Sequence, residues 1–214
     1  MATMHIELCG YPGAGKTTVA QVLHRERGIG LPKLVSTRSA VFSAPHVAAC
    51  TLAKPDILGS AVSCGAAGSR GRRRLARVAI RQATTLAGQQ EGALLDEGVV
   101  HEVWRLLYEF PQWIDRGWWA DTLALACPVV IGLDVSLQQA REGIRRKQNP
   151  GRINAQLASA SPHSGPWQRA QAAMDAVYST LEGRDEVELI RLDTTGWDVK
   201  RVSKEISDRL DASR

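Results

Sequence analysis

The chain has 214 residues, of which 44% are hydrophobic and 23% charged, enough for one well-cored globular domain and too apolar for a disordered or fibrous chain. Lysine and arginine outnumber aspartate and glutamate by 27 to 22, and the net charge of +5 favours an anionic partner without identifying it. No apolar run approaches the roughly 18 residues of a membrane span, and no signal-peptide pattern is present. We therefore expect no membrane partner, reduced cysteines and a cytoplasmic location, or the host cytoplasm if the source is viral.

A glycine-rich loop follows the first predicted strand. Residues 4–9, MHIELC, predict a short buried strand, and residues 10–18, GYPGAGKTT, match the phosphate-binding pattern G-x-x-x-x-G-K-[ST] at every position. The helical run KTTVAQVLHRER comes next, with Gly28 as its predicted end. Strand, loop and helix are the context in which this pattern binds a nucleoside triphosphate.

Each residue type of this loop has a physical role. The glycines let backbone N–H groups point at phosphate oxygens, and the helix N-terminus adds partial positive charge. Lys16 is placed to bridge the β- and γ-phosphates, and Thr17 to offer a hydroxyl to Mg²⁺. Because no guanine-specific N-K-x-D pattern follows, ATP is favoured. The predicted ATP-binding residues are Gly10, Gly13, Ala14, Gly15, Lys16, Thr17 and Thr18.

An arginine-rich segment lies in the second quarter of the chain. After a short predicted strand at 32–37, residues 39–69 are irregular, and their role stays open. A helix is predicted from about 72 to 86. Four arginines at i, i+4, i+7 and i+11 are predicted to share one face of it and are called here the arginine stripe: Arg70, Arg74, Arg77 and Arg81.

The rest of the chain alternates strands with helices. The strand EGALLDEG at 91–98 ends in two carboxylates and precedes an amphipathic helix to residue 110. A strand at 127–135, CPVVIGLDV, leads through a capping box at Ser136 and Gln139 into a basic helix. A further helix, a strand at 187–193 and a closing helix follow. This alternation predicts an α/β fold with a parallel sheet covered by helices on both faces.

The order of these parts resembles the P-loop nucleoside and nucleotide kinases, most closely the thymidylate-kinase-like branch. The resemblance implies a single three-layer P-loop NTPase domain over 1–214, with an acceptor-binding region at about 36–92 and a basic lid at about 141–156. It places Asp96 near Mg²⁺ or the reacting hydroxyl, and the loop DTTGW at 193–197 near the base of ATP. The lid candidates are Arg141, Arg145, Arg146 and Arg152, with Arg145 and Arg152 favoured.

Glu97 departs from the pattern of the resemblance. Thymidylate-like kinases usually carry Asp-Arg here and deoxynucleoside kinases a comparable Glu-Arg pair, so a carboxylate replaces the guanidinium that grips the acceptor's phosphate. A carboxylate repels a monophosphate but can take the proton of a hydroxyl, which favours a hydroxyl acceptor. The alternative is that Glu97 only caps the helix beginning near Val99. The predicted catalytic residues are Lys16, Asp96, Glu97, Arg145 and Arg152, and the predicted metal ligands are Thr17 and Asp96.

The arginine stripe suggests an acceptor with several phosphates. A stripe of about 11 residues covers roughly 16 Å on a helix and could span several nucleotides. Trp104 is included among the predicted acceptor-binding residues because aromatic rings stack on bases, although large aromatic side chains more often lie in the core. The alternative is that one or two arginines bind a nucleotide's own phosphate and the others face solvent. The predicted acceptor-binding residues are Arg38, Arg70, Arg74, Arg77, Arg81 and Trp104.

These observations predict an ATP- and Mg²⁺-dependent kinase acting on a nucleotide or nucleic acid. The finer hypothesis is a hydroxyl on a modified base in DNA, the activity of the bacteriophage kinases that phosphorylate 5-hydroxymethyluracil. Three alternatives stay open: a nucleoside monophosphate or deoxynucleoside kinase, a small-molecule kinase of antibiotic or sugar metabolism, and a binding protein that hydrolyses ATP slowly to switch partners.

Overall fold

The computed structural model describes residues 6–28, 71, 74, 77, 78, 94–117, 119–124 and 128–212. The predicted strand at 32–37 and the segment 39–69 lie outside these described residues. So do three of the predicted acceptor-binding residues, Arg38, Arg70 and Arg81.

Four parallel strands form the sheet in the described part of the chain: β1 (Ile6–Gly10), β2 (Leu94–Leu95), β3 (Val129–Asp134) and β4 (Glu188–Asp193). Their order is β2-β1-β3-β4, so β1, which leads into the glycine loop, lies inside the sheet. Ile6 pairs with both Leu94 and Val129. Because parallel strands end at the same edge, the segments that follow them meet there, where ligands of α/β proteins bind.

The helices are α1 (Lys16–Arg27), α2 (Val99–Glu109), α3 (Ala120–Ala124), α4 (Leu137–Arg145), α5 (Arg152–Ser159), α6 (Gly165–Glu182) and α7 (Val199–Ala212), with a 3₁₀ helix at Pro111–Arg116. Two predicted helix ends are confirmed. Gly28 ends α1 with a φ of 65°, and the Ser136 Oγ accepts a hydrogen bond from the Gln139 N–H at 3.2 Å. Among the described residues, no helix is long and apolar enough to cross a membrane.

Helices cover both faces of the sheet, which confirms the predicted three-layer α/β fold. Side chains alternate along each strand, so Leu8 and Ile131 pack on one face while Cys9 and Val130 pack on the other. The first face is covered by α1 and α7, the second by α2 and α6. Cys9 is a buried free thiol, and burial raises its pKa to about 12, so it packs as an inert core residue.

Arg74 does not share an exposed face with Arg77. All four described residues within 71–78 are helical, as predicted, and Arg77 is exposed. The Arg74 side chain is only 14% exposed, and its Nε and Nη2 donate to the two carboxylate oxygens of Glu109 at 3.0 and 2.9 Å. Its Nη1 lies 3.7 Å from Glu102. The prediction that Arg74 binds the acceptor is therefore wrong, because its guanidinium is used in a buried ion pair.

Replacing Arg74 by methionine is expected to lower the free energy of unfolding by about 3–5 kcal/mol, because the buried carboxylate of Glu109 loses two charge-assisted hydrogen bonds and that of Glu102 loses one of its two arginine partners. The side chains of Glu102 and Glu109 are 4% and 5% exposed. Urea denaturation measures the change. Arg77→Met removes an exposed neighbour and should change stability by less than about 0.5 kcal/mol. Equal effects of the two substitutions would contradict the buried ion pair.

Candidate active site

Three glycines shape the loop between β1 and α1. Gly10, Gly13 and Gly15 have φ angles of 136°, 89° and 85°, a region that residues with a Cβ rarely adopt. The predicted curl of the loop is therefore confirmed. Helix α1 begins immediately afterwards at Lys16, so the partial positive charge of its N-terminus lies at the loop.

Lys16 is held by the loop itself. Its side chain is buried, and Nζ donates to the backbone carbonyl oxygens of Gly10 at 2.8 Å and Tyr11 at 3.0 Å. Burial lowers the pKa of Lys16 to about 8, because the charged form loses its hydration. The side chain is therefore anchored in the loop and poised between its charged and neutral forms near pH 8.

The loop packs directly against α4. A Cβ at Gly13 would collide with the backbone of Ala140 and Ile144, and a Cβ at Gly143 would collide with the carbonyl oxygen of Gly13. Backbone atoms on both sides leave no flexible group to move aside. Gly13 and Gly143 therefore set how closely the loop and α4 approach each other.

A cleft of about 420 Å³ opens beside the loop, at the carboxyl edge of the sheet. Acidic and basic side chains share it: Asp96 and Glu97 come from the end of β2, and Arg146 and Lys147 from the end of α4. A polar cleft of this kind suits a small anionic ligand. The predicted ATP-binding residues that line it are Gly13, Ala14, Gly15, Lys16, Thr17 and Thr18.

Glu7 takes the place that the helix-cap alternative assigns to Glu97. Helix α2 has Gly98 as its N-cap, without a side-chain capping bond. The carboxylate at the helix start belongs to Glu7, which is fully buried and accepts a hydrogen bond from the backbone N–H of His101 at 3.1 Å. A side chain at Gly98 would collide with this carboxylate. The bond to a backbone N–H of the first turn of α2 therefore comes from Glu7, and Glu97 makes no such bond in the described residues, which favours a role for Glu97 other than capping.

Glu97 instead lies in the cleft beside two basic side chains of α2. Its Oε1 is 3.8 Å from the His101 Nε2, and its Oε2 is 4.0 Å from the Arg105 Nη1. The same Arg105 nitrogen donates to Glu102 at 3.3 Å. With 35% of its side chain exposed, Glu97 is held in position and still accessible to a ligand.

The two favoured lid residues do not line the cleft. Arg145 is exposed, and its Nε donates to the carbonyl oxygen of Ala158 at 3.2 Å. Arg152 is exposed at the start of α5. Arg146 and Lys147 line the cleft instead. Contact of Arg145 or Arg152 with a ligand therefore requires a change of side-chain conformation or a movement of the segment 145–152.

Trp104 is a core residue. It is 1% exposed, and its Nε1 donates to the carbonyl oxygen of Ala170 at 3.1 Å. Its ring stacks with His101 and with Tyr108, each at a centroid distance of 5.7 Å. The prediction that Trp104 binds the acceptor is wrong, because no face of its ring is open to a base.

The 193–197 loop reaches the cleft through Trp197. The Gly196 N–H donates to the side-chain oxygen of Gln139 at 3.0 Å, which ties the loop to α4. The Arg201 guanidinium lies over the Trp197 ring, 4.1 Å from its centroid. The indole is thus fixed on one side and presented to the cleft.

Thr17 and Asp96 offer oxygen ligands that suit Mg²⁺. Both line the cleft, and Thr17 is exposed while Asp96 is partly buried. Within the described residues, no group of three or more His, Cys, Asp or Glu could hold a metal. Because Mg²⁺ keeps several waters and binds through one or two protein oxygens together with phosphates, the two residues fit a Mg²⁺ ion that arrives with a nucleotide.

Several solved kinase structures share this arrangement of elements. Deoxyadenosine kinase from M. mycoides with bound dCTP is 15% identical, with a TM-score of 0.60 over 98% of this chain and 100% of that chain. The same enzyme with bound dATP is 16% identical, with a TM-score of 0.58 over 97% and 100%. Thymidylate kinase from Candida albicans is 12% identical, with a TM-score of 0.63 over 99% and 92%. The chain shares the fold of these solved structures.

No protein-family model and no curated protein sequence matches the chain. At identities of 12–16%, the structural likeness establishes the fold, and the function must be argued from the cleft.

Sequence reasoning missed Glu7, Arg105 and Lys147. A signal for Arg105 exists in its spacing, because His101 and Arg105 lie four residues apart on one side of a helix and Glu97 lies a further four residues before them. Glu7 also leaves a signal, since it is the one charged residue of the strand MHIELC apart from a titratable histidine. A charge in a buried strand needs a buried partner.

Proposed function

We propose that the chain is an ATP-dependent phosphotransferase whose acceptor is a nucleoside or a nucleotide. The main support for this proposal is the position of Glu97. Its carboxylate is accessible in the cleft beside the glycine loop, called from here on the phosphate loop. The hydrogen bond to the first turn of α2 comes from Glu7 and not from Glu97. The fold shared with deoxyadenosine and thymidylate kinases supports an acceptor of this class.

The phosphate loop and Lys16 bind the donor. The loop N–H groups donate to oxygens of the β- and γ-phosphates, and Lys16 exchanges the carbonyl oxygens of Gly10 and Tyr11 for phosphate oxygens. Thr17 and Asp96 would hold Mg²⁺, whose charge would offset that of the triphosphate. Trp197 supports the adenine base by stacking.

Glu97 prepares the acceptor. It takes the proton of a hydroxyl while that oxygen bonds to the γ-phosphorus and the bond to the bridging oxygen breaks, which leaves ADP. Arg146 and Lys147 offset the negative charge that the transferring group carries. Arg145 and Arg152 join them when the segment 145–152 closes and excludes water.

A hydroxymethylated pyrimidine in DNA, such as 5-hydroxymethyluracil, is the second candidate acceptor. The exposed Arg77 and the net charge of +5 favour a polyanion, and Glu97 suits the base hydroxyl. In duplex DNA the base would have to be presented in the groove or flipped out to reach the cleft. Arg74 and Trp104 take no part in this surface, because both are used inside the protein.

Transfer of labelled γ-phosphate from ATP tests the proposal. The panel contains deoxynucleosides, their 5′-monophosphates, and DNA with normal or hydroxymethylated pyrimidines, with Lys16→Ala as the inactive control. Label in free nucleosides or nucleotides supports the first proposal, and label only in hydroxymethylated DNA supports the second. Absence of label from the whole panel, with the wild-type protein folded, would contradict both.

ATP binding is expected to take up a proton near pH 8.5. In the free protein Lys16 has a pKa of about 8 and is mostly neutral at that pH, whereas phosphate oxygens favour its charged form and raise the pKa. Calorimetric titrations in two buffers of different ionisation enthalpy should give an uptake of about half a proton or more per ATP. Lys16→Arg, which stays charged, should abolish this uptake, and equal uptake by both proteins would contradict the assignment.

A further inference from the structure

A cluster of opposite charges lies behind the acidic side of the cleft. Its members are Arg74, Arg105, Glu97, Glu102 and Glu109. The side chains of Glu102 and Glu109 are almost fully buried, so each requires a nearby cation. Arg74 provides a cation to both carboxylates, with two hydrogen bonds to Glu109 and an ion pair with Glu102.

Arg105 differs from Arg74 in where it lies and in how it uses its donors. It lines the cleft, and its side chain is 21% exposed. Within the described residues, its hydrogen bond to Glu102 and its ion pair with Glu97 both involve Nη1. A guanidinium carries five N–H donors, so Nε and Nη2 keep donors for a ligand. The buried Glu102 fixes the side chain in place.

We propose that Arg105 is the acceptor-binding cation of this cleft and that it recognises a phosphate ester on the acceptor. This rests on the proposed function, because it assumes that the acceptor enters beside Glu97. The planar guanidinium presents paired donors that match two phosphate oxygens, which a hydroxyl group cannot use. The acceptor is then a nucleotide, either free or within a DNA strand, rather than a nucleoside.

Arg105 also reduces the repulsion that the carboxylate of Glu97 would exert on a phosphate. A lone carboxylate would repel a phosphorylated acceptor, but a guanidinium nitrogen 4.0 Å away offsets its charge. The cleft can therefore bind an acceptor phosphate at Arg105 while Glu97 accepts a proton from a hydroxyl of the same molecule. Arg105 thus supplies, from α2, the positive charge that is missing directly after Asp96.

Binding of a second ligand to the donor-loaded protein tests this proposal. Mg²⁺ and non-hydrolysable AMP-PNP first fill the phosphate loop, so that a further phosphate ester must bind elsewhere in the cleft. Calorimetry then measures the Kd of the four 5′-deoxynucleotides, their deoxynucleosides and a short single-stranded oligodeoxynucleotide. We expect at least one phosphate-bearing probe to bind more tightly than the matching nucleoside. Arg105→Gln should weaken that binding by about tenfold to a hundredfold and leave nucleoside binding unchanged.

Two further variants separate recognition from folding. Glu102→Gln combined with Arg105→Gln removes both partners of the Arg105–Glu102 hydrogen bond and should show the same loss of phosphate affinity. Arg209→Gln removes an exposed arginine of α7 that pairs with Glu205, and it should leave every affinity unchanged. Preference for the free nucleotide or for the oligonucleotide identifies where the recognised phosphate resides.

Three outcomes would overturn the role of Arg105. They are equal phosphate affinities of the wild type and the Arg105 variants, nucleosides that bind as tightly as nucleotides, and no binding of any phosphate-bearing probe. Failure of the wild type to bind AMP-PNP would instead overturn the proposed function itself, so the two failures are distinguishable.

Discussion

Glu97→Gln is expected to lower kcat for phosphoryl transfer by about a hundredfold to ten-thousandfold. The amide is nearly isosteric with the carboxylate but cannot take the proton of the acceptor hydroxyl. Stability should change little, because 35% of the side chain is exposed and its ion-pair partners, His101 and Arg105, have other contacts. Single-turnover kinetics with saturating ATP and acceptor measures the rate, and circular dichroism checks the fold.

Glu142→Gln is the matched control for this substitution. Glu142 is also exposed to the cleft, and its carboxylate accepts a hydrogen bond from the neighbouring Gln138. The substitution removes the same charge from the same cleft without removing the proposed base. Equal losses of rate in the two variants would mean that Glu97 acts only through the charge of the cleft and not as a proton acceptor.

Gly143→Ala is expected to destabilise the protein by about 2–4 kcal/mol and to weaken ATP binding. Helix propensity alone predicts the opposite sign, since alanine is better than glycine inside a helix by up to about 1 kcal/mol. The close approach of α4 to the phosphate loop makes the substitution destabilising, because the added Cβ collides with the backbone carbonyl of Gly13. The loop or α4 must then shift, and both line the cleft that we propose to bind ATP.

Gly165→Ala provides the control for the alanine substitution. Gly165 is also helical, and the nearest atom to its added Cβ is the end of the flexible Arg169 side chain at 3.8 Å. Gly165→Ala should change the free energy of unfolding by less than about 1 kcal/mol, because no backbone atom of another segment opposes the added Cβ. Urea denaturation of both variants tests the pair, and a stabilised Gly143→Ala protein with normal ATP affinity would show that α4 does not constrain the loop.

The parts of this protein that sequence reasoning predicts well are those with local causes. The glycine loop follows from three residues that need positive φ, and the ends of α1 and α4 follow from Gly28 and the Ser136 capping bond. The three-layer sheet follows from alternating strands and helices. Asp96 and Glu97 reach the cleft because they end a strand beside β1.

The errors concern long side chains whose partners come from other elements. The sequence predicts that Arg74 belongs to an exposed stripe, but in the structure it forms ion pairs with Glu102 and Glu109 of α2. The sequence predicts that Trp104 stacks on a base, but in the structure its ring lies in the core and its indole N–H donates to the carbonyl of Ala170 in α6. Helical spacing predicts which face such a residue occupies, but not what covers that face.

The dependence of ATP turnover on an acceptor tests the central claim most directly. ADP formation is measured with and without the acceptor found in the labelling panel, alongside Lys16→Ala and Glu97→Gln. We predict slow turnover without the acceptor, a large stimulation by it, and one phosphorylated acceptor for each ADP formed. ATP hydrolysis at the same rate in its absence, unaffected by Glu97→Gln, would contradict the account and indicate a nucleotide-driven binding protein.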